Sequence, residues 1–129
     1  MKIAYLDCMS GISGDMTLGA LVDAGVDLSA IQAGIDSLGL PDCRLVATEV
    51  KKKGFRATSV TVEHEPEHAH RHLHHITDMI DASDVITPSQ KELAKRIFTR
   101  LGEAEAHVHG STLRKVHFHE VGAVDSIAD

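Results

Sequence analysis

The chain has 129 residues, 43% of them hydrophobic and 25% charged, which is enough for one domain with an apolar core and too apolar for a disordered segment. Its formal charge of −6, with ten histidines counted as neutral, leaves no basic stripe to displace phosphate counterions, so a nucleic-acid partner is excluded. Cys8 and Cys43 form neither a CxxC pair nor a disulfide framework and no apolar run approaches membrane-spanning length; a soluble, cytoplasmic protein without a membrane partner is the expectation.

In chain order, Lys2 to Asp7 reads as a short, largely buried strand, because Ile3, Ala4, Tyr5 and Leu6 form an apolar run that delivers Asp7 to its end. The loop Cys8 to Asp15 is rich in glycine and hydroxyls and feeds a helix from about Gly14 to Ala24. Strand, glycine loop, helix start is an order that suits phosphate: Gly11 and Gly14 let amides approach an oxyanion, while Ser10 and Ser13 can donate to it. The loop is neither a P-loop with its lysine nor a GxGxxG fingerprint, and a tight turn with Ser13 as N-cap explains it equally well. Asp7 and Asp15 are its carboxylates, candidates to reach a metal or a ligand hydroxyl, although Asp15 also suits the first turn of a helix.

Gly25 stops that helix and Asp27 caps a second, with Leu28, Ile31, Ile35 and Leu38 on one stripe; Gly39 and Pro41 end it. Arg44 to Lys51 and Arg56 to Glu63 alternate, the first with Val46, Thr48 and Val50, the second with Thr58, Val60 and Val62. Lys52-Lys53-Gly54 between them predicts a β-hairpin. Cys43 reads as a small buried hydrophobe.

Residues 63–75 then hold six of the ten histidines. Imidazole is a preferred ligand of borderline divalent ions, so the tract should bind nickel, zinc or copper. A helix beginning near His70 would put His68, His72 and His75 on one face and His70 and His74 at i, i+4. Pro66 and the flanking glutamates favour a solvated loop instead. Thr87-Pro88-Ser89-Gln90 is a helix start with N-cap, proline and capping-box glutamine. The stripe Leu93, Ile97, Leu101, Ala104 and Val108 predicts a long helix closed by Gly110. His107 reads as a helix C-terminal residue favoured by the macrodipole rather than as a ligand.

The last stretch, Val116 to Asp129, places His117 and His119 on one face of an extended segment, with Glu120 at its end, Gly122 turning the backbone, and a helix from Ala123. That helix is still running at Asp129, so a fragment of a longer protein is expected. The element order predicts an α+β single domain: a small mixed β-sheet with a β-hairpin, covered by helices.

The segments Asp7 to Met16, His70-Arg71 after the histidine tract, Ala104 to Gly110, and Val116 to Asp129 together resemble the N-terminal region of the LarC family, the nickel-insertion proteins of nickel-pincer cofactor synthesis. The resemblance runs the length of the chain. It implies a CTP-dependent nickel chelatase of the lyase class, active in lactate racemase maturation, which inserts Ni²⁺ into pyridinium-3,5-bisthiocarboxylic acid mononucleotide. On that reading residues 1–129 are the N-terminal domain. CTP and its divalent metal bind a C-terminal part absent here, and the fragment alone lacks activity. Asp7, Asp15 and Glu120 become candidate catalytic groups, Ser10, Gly11, Ser13 and Gly14 the phosphate cradle, and His68, His70, His72, His74, His75, His117 and His119 the metal-binding set. The partners are the mononucleotide and the nickel ion, and a homo-oligomer is allowed. Two other readings stand beside it: a non-catalytic, histidine-rich nickel- or zinc-binding metallochaperone module, and a phosphohydrolase using Asp7 and a metal, which lacks a second acidic cluster.

Overall fold

The computed structural model describes residues 3–66, 71–118 and 122–129. Helix α1 (Gly14–Asp23) is followed by α2 (Leu28–Asp36), the long strands β1 (Arg44–Lys52) and β2 (Phe55–Glu63), the two-residue β3 (Arg71–His72), helices α3 (Leu73–Ala82) and α4 (Pro88–Val108), the two-residue β4 (His117–Phe118) and α5 (Val124–Ala128). The α+β class is as expected. The sheet is divided: β1 pairs with β2 and β3 with β4, both antiparallel, so two separate two-stranded ladders stand where one mixed sheet was predicted.

The hairpin closes through Lys53 (φ 50°) and Gly54 (φ 88°), with Lys52 opposite Phe55. Positive φ at both central positions is the type I′ geometry whose twist matches the flanking strands. Its register sets Leu45 opposite Val62 and Ala47 opposite Val60, and this face carries the buried Leu45 and Val60. Val46, Thr48 and Val50 therefore lie on the other face, opposite Thr61, Ser59 and Ala57. Helix α1 crosses β2 at Gly19, where a Cβ would sit 2.6 Å from the carbonyl oxygen of Thr58.

Two apolar clusters result. Leu18, Ile35, Cys43, Leu45, Val60, Val124 and Ala128 join α1, α2, the hairpin and α5. Ile76, Ile80, Phe98, Val116, Phe118 and Ile127 join α3, α4, β4 and α5. The five-residue α5 is thus the seam between them, with Val124 and Ala128 in one cluster and Ile127 in the other. Burial raises the Cys43 thiol pKa above its ordinary value, with Asp36, Asp129 and Asp125 adding to the effect.

Three expectations are corrected. Residues 3–8 form no regular structure, and Ile3, Tyr5 and Leu6 are exposed, because among the described residues no strand lies alongside to accept their backbone groups. Helix α3 begins at Leu73 rather than near His70, because Arg71 and His72 are drawn into the ladder with β4. On α4 the predicted stripe faces outward except at Leu101: Leu93, Ile97, Ala104 and Val108 are exposed, while Phe98 and Gly102 are buried and Ala94, Leu101 and Ala106 pack against the second cluster. Both faces of α4 carry apolar residues, and the aromatic side chain of Phe98, set edge-on to Phe118 at 6.4 Å, decides between them.

Candidate metal site

The ladder β3–β4 joins the histidine tract to the closing stretch of the chain. His72 stands opposite His117, and their ring centroids are 3.9 Å apart. The ring of His74 stacks 5.3 Å from His72, and His75 lies 4.1 Å from His74 and 5.5 Å from His72. Four of the predicted metal-binding histidines are therefore one cluster, assembled from segments the sequence keeps far apart. His68, His70, His119 and Glu120 lie outside the described residues.

The hydrogen bonds assign different states to these rings. His72 Nδ1 is 3.0 Å from the carbonyl oxygen of Val116, an atom that only accepts, so Nδ1 is the donor, and in the neutral tautomer this selects the lone pair lies on Nε2. A carbonyl holding the second ring nitrogen is the usual way a ligating imidazole is oriented. His75 does the reverse: its Nδ1 accepts the backbone N–H of His72 at 3.2 Å, half of a capping box at the start of α3. To ligate through Nδ1 it must release that amide. Arg71 Nη1 donates to the Gly122 carbonyl oxygen at 2.7 Å and ties β3 to the turn before α5. Among the described residues no three His, Cys, Asp or Glu side chains already converge on one point as a closed metal site.

The loop before α1 is built differently from its prediction. Gly11, at φ 82°, closes a turn by donating its N–H to the Cys8 carbonyl oxygen. Ser13 occupies the N-cap position, but its hydroxyl donates to Asp15 Oδ1 and accepts no helix amide. Ser10 and Asp7 are exposed. The side chain of Asp129 lies against Gly14, where a Cβ would come within 2.2 Å of the Asp129 Cβ, and its carboxylate accepts the Asp15 amide. Burial raises the Asp129 pKa, and the neighbouring charges of Asp15 and Asp125 raise it further. An anion approaching the α1 start meets three carboxylates, and one of them already uses the helix amide. The only sequence signal for this is the Asp-rich stretch 125–129, whose local pattern indicates a helix and not a contact with α1.

One cleft has no histidine in its lining. It runs between α2, α4 and α5 past Ile31, Ile80, Phe98 and Ile127, with Gln90 and Asp129 as its polar groups. Most of its lining is apolar.

A family described as nickel insertion protein matches residues 4–129. A Rhodopirellula baltica protein, provisionally named for nickel insertion, is 63% identical over 128 residues, 99% of this chain and 32% of its own length. The pyridinium-3,5-bisthiocarboxylic acid mononucleotide nickel insertion protein of Desulfitobacterium hafniense is 51% identical over 129 residues, covering all of this chain and 32% of that protein. Its namesake in Geobacillus kaustophilus is 48% identical over 139 residues, again all of this chain and 34% of the relative. The chain thus spans about a third of the curated relatives it matches. No solved structure matches it.

Proposed function

The chain belongs to the nickel insertion protein family, and from that premise we propose that it is the nickel-handling, N-terminal part of an enzyme that inserts Ni²⁺ into pyridinium-3,5-bisthiocarboxylic acid mononucleotide. The observation that carries this reading is the imidazole cluster at the β3–β4 ladder, with His72 and His117 opposite each other. Nickel is here the substrate, and a protein that hands it on needs ligands that hold and then release it. Neutral imidazoles suit a borderline ion and yield it to the softer sulfur donors of a thiocarboxylate. His72, oriented by the Val116 carbonyl, offers Nε2; His74 and His117 lie within reach; His68, His70 and His119 complete the proposed set. Glu120 is the proposed carboxylate partner, and Asp7 and Asp15 keep their proposed catalytic roles.

The proposal extends to CTP dependence with a divalent cation, to a lyase-class reaction, to lactate racemase maturation and to a cytoplasmic setting. Ser10, Gly11, Ser13 and Gly14 remain the proposed anion-facing loop. The carboxylates around the α1 start do not suit a bare triphosphate, so CTP is assigned to the longer protein outside these residues. Among the described residues no helix is long and apolar enough to cross a membrane.

The decisive assay is nickel insertion by the full-length protein with CTP and the organic precursor. His72→Ala combined with His117→Ala should abolish insertion while leaving the circular dichroism spectrum unchanged. Full activity in that variant would remove the cluster from the reaction. A second reading, a metal-capture module without catalysis, rests on the same cluster of imidazoles. It predicts that the same variant lowers the number of nickel ions bound but leaves the rate of insertion at saturating nickel untouched.

A further inference from the structure

Beside the imidazole cluster, Leu73, His74, Thr77, Leu113 and Arg114 line an open groove of about 350 Å³. That is the lower end of the size range of small-molecule sites, roughly 300 to 1,000 Å³. Its surfaces divide by chemistry. Leu73 and Leu113 form apolar walls, and Leu113 is held in place by packing on Gly102, where a Cβ would come within 2.8 Å of the Leu113 Cδ1. The Thr77 hydroxyl spends its proton on the His74 carbonyl oxygen at 3.0 Å, so it does not supply a donor to the groove. Arg114 does: it is exposed and has no hydrogen bond or ion pair among the described residues, in contrast to Arg56, Lys95 and Arg100, each paired with a carboxylate. His74 belongs to both the groove and the cluster, its ring 4.1 Å from that of His75 and 5.3 Å from that of His72.

Apolar walls, one uncommitted guanidinium and an imidazole at one end suit a planar aromatic ring that carries a phosphate. We propose that this groove seats the organic acceptor of nickel, a phosphorylated pyridinium, with Arg114 on its phosphate and its ring edge turned toward His74. A guanidinium binds phosphate through two parallel hydrogen bonds, which fixes orientation as well as affinity. The acceptor would then lie beside the imidazoles that hold the ion. This inference rests on the nickel-insertion reading given above, and it adds a substrate-positioning residue that the sequence patterns did not single out.

The probe is nicotinic acid mononucleotide, a pyridinium carboxylate with the same kind of phosphate, titrated calorimetrically into the full chain without nickel. The wild type should bind it, and Arg114→Gln should weaken binding about tenfold or more, as expected for loss of a charged hydrogen bond. Arg114→Lys should recover part of the loss. The corresponding nucleoside, lacking phosphate, should bind the wild type as weakly as the mononucleotide binds Arg114→Gln. Equal binding of the mononucleotide to wild type and Arg114→Gln, or no binding to the wild type, overturns the proposal, and so does equal binding of the nucleoside. Nickel titration separates this from the underlying reading: Arg114→Gln should bind nickel as the wild type does. His117→Ala should lose nickel affinity and keep the probe. Undiminished nickel binding by His117→Ala would sink the metal reading and leave the groove to be judged by the probe alone.

Discussion

His72 and His117 face each other across the β3–β4 ladder with their rings 3.9 Å apart, and the Val116 carbonyl oxygen holds Nδ1 of His72. The cluster therefore has an internal division of labour. The backbone orients the His72 ring through Nδ1 and leaves Nε2 out of that bond, whereas His75 is committed to the start of α3.

That division predicts opposite outcomes for two neighbouring alanines. His75→Ala removes the acceptor of the His72 amide and should lower stability by about 1 kcal/mol in urea unfolding, the usual cost of losing a cap. His74→Ala breaks no such bond and should leave the urea midpoint unchanged. It should instead reduce nickel affinity, about tenfold on the scale of lost outer or weak ligands, measured by isothermal titration.

The orientation of α4 can be tested by substitution on its two apolar faces. Phe98 is 8% exposed and Ile97 59% exposed. Phe98→Ala should cost about 3–5 kcal/mol, as core aromatic truncations do. Ile97→Glu, on the outer face, should stay within about 0.5 kcal/mol of the wild type. A large loss from Ile97→Glu in the same thermal melts would show that the stripe is covered.

Gly19 is the point of closest approach between α1 and β2, and the obstacle is backbone rather than a movable side chain. Gly19→Ala gains helix propensity but drives its Cβ into the Thr58 carbonyl. Overpacking should prevail and lower stability by about 1–3 kcal/mol. Gly34, with nothing within 4 Å of its Cβ position, is the control, and Gly34→Ala should be stabilising.

The two ends of the carboxylate range give opposite pH dependences. Hydrogen bonds from Arg56 and Thr58 hold Asp23 below the usual carboxylate value. Its contribution to stability is present above the unfolded pKa and is lost as pH falls through the folded one. Asp129 is raised, by burial first and then by Asp15 and Asp125. The folded state then binds its proton more tightly than the unfolded state, so stability declines as pH rises from the unfolded value through the folded one. Asp129→Asn keeps a carbonyl for the Asp15 amide and removes the charge. It should raise the melting temperature at pH 7 and leave it unchanged at pH 3, where both forms are neutral.

Elements announced by local chemistry were legible in the sequence. The capping box Thr87 to Gln90, the Asp27 cap and the Lys53-Gly54 turn all stand where the residues placed them. Faces were harder. Either stripe of α4 has helical spacing, and only the pairing of Phe98 with Phe118 selects the inner one. The histidine tract stands out in composition, but a two-residue ladder carries no periodicity, so nothing local showed that Arg71 and His72 would leave the helix and meet His117. The Asp129 carboxylate on the α1 start was hidden for the same reason, since it is a contact between the two extremes of the numbering.

The ladder also has a mechanical consequence. It ties residue 72 to a segment 44 residues further on through very few backbone bonds. On the proposed nickel-handling reading, an ion shared by His72 and His117 would act there as a removable staple. Closing a loop of that length restricts the unfolded chain by on the order of 4 kcal/mol in the loop-entropy account of cross-links. On that reading, adding nickel should tighten the packing of α3 and α4 and slow their amide exchange, and removing it with a chelator should relax them, so the fold itself would report whether the site is filled.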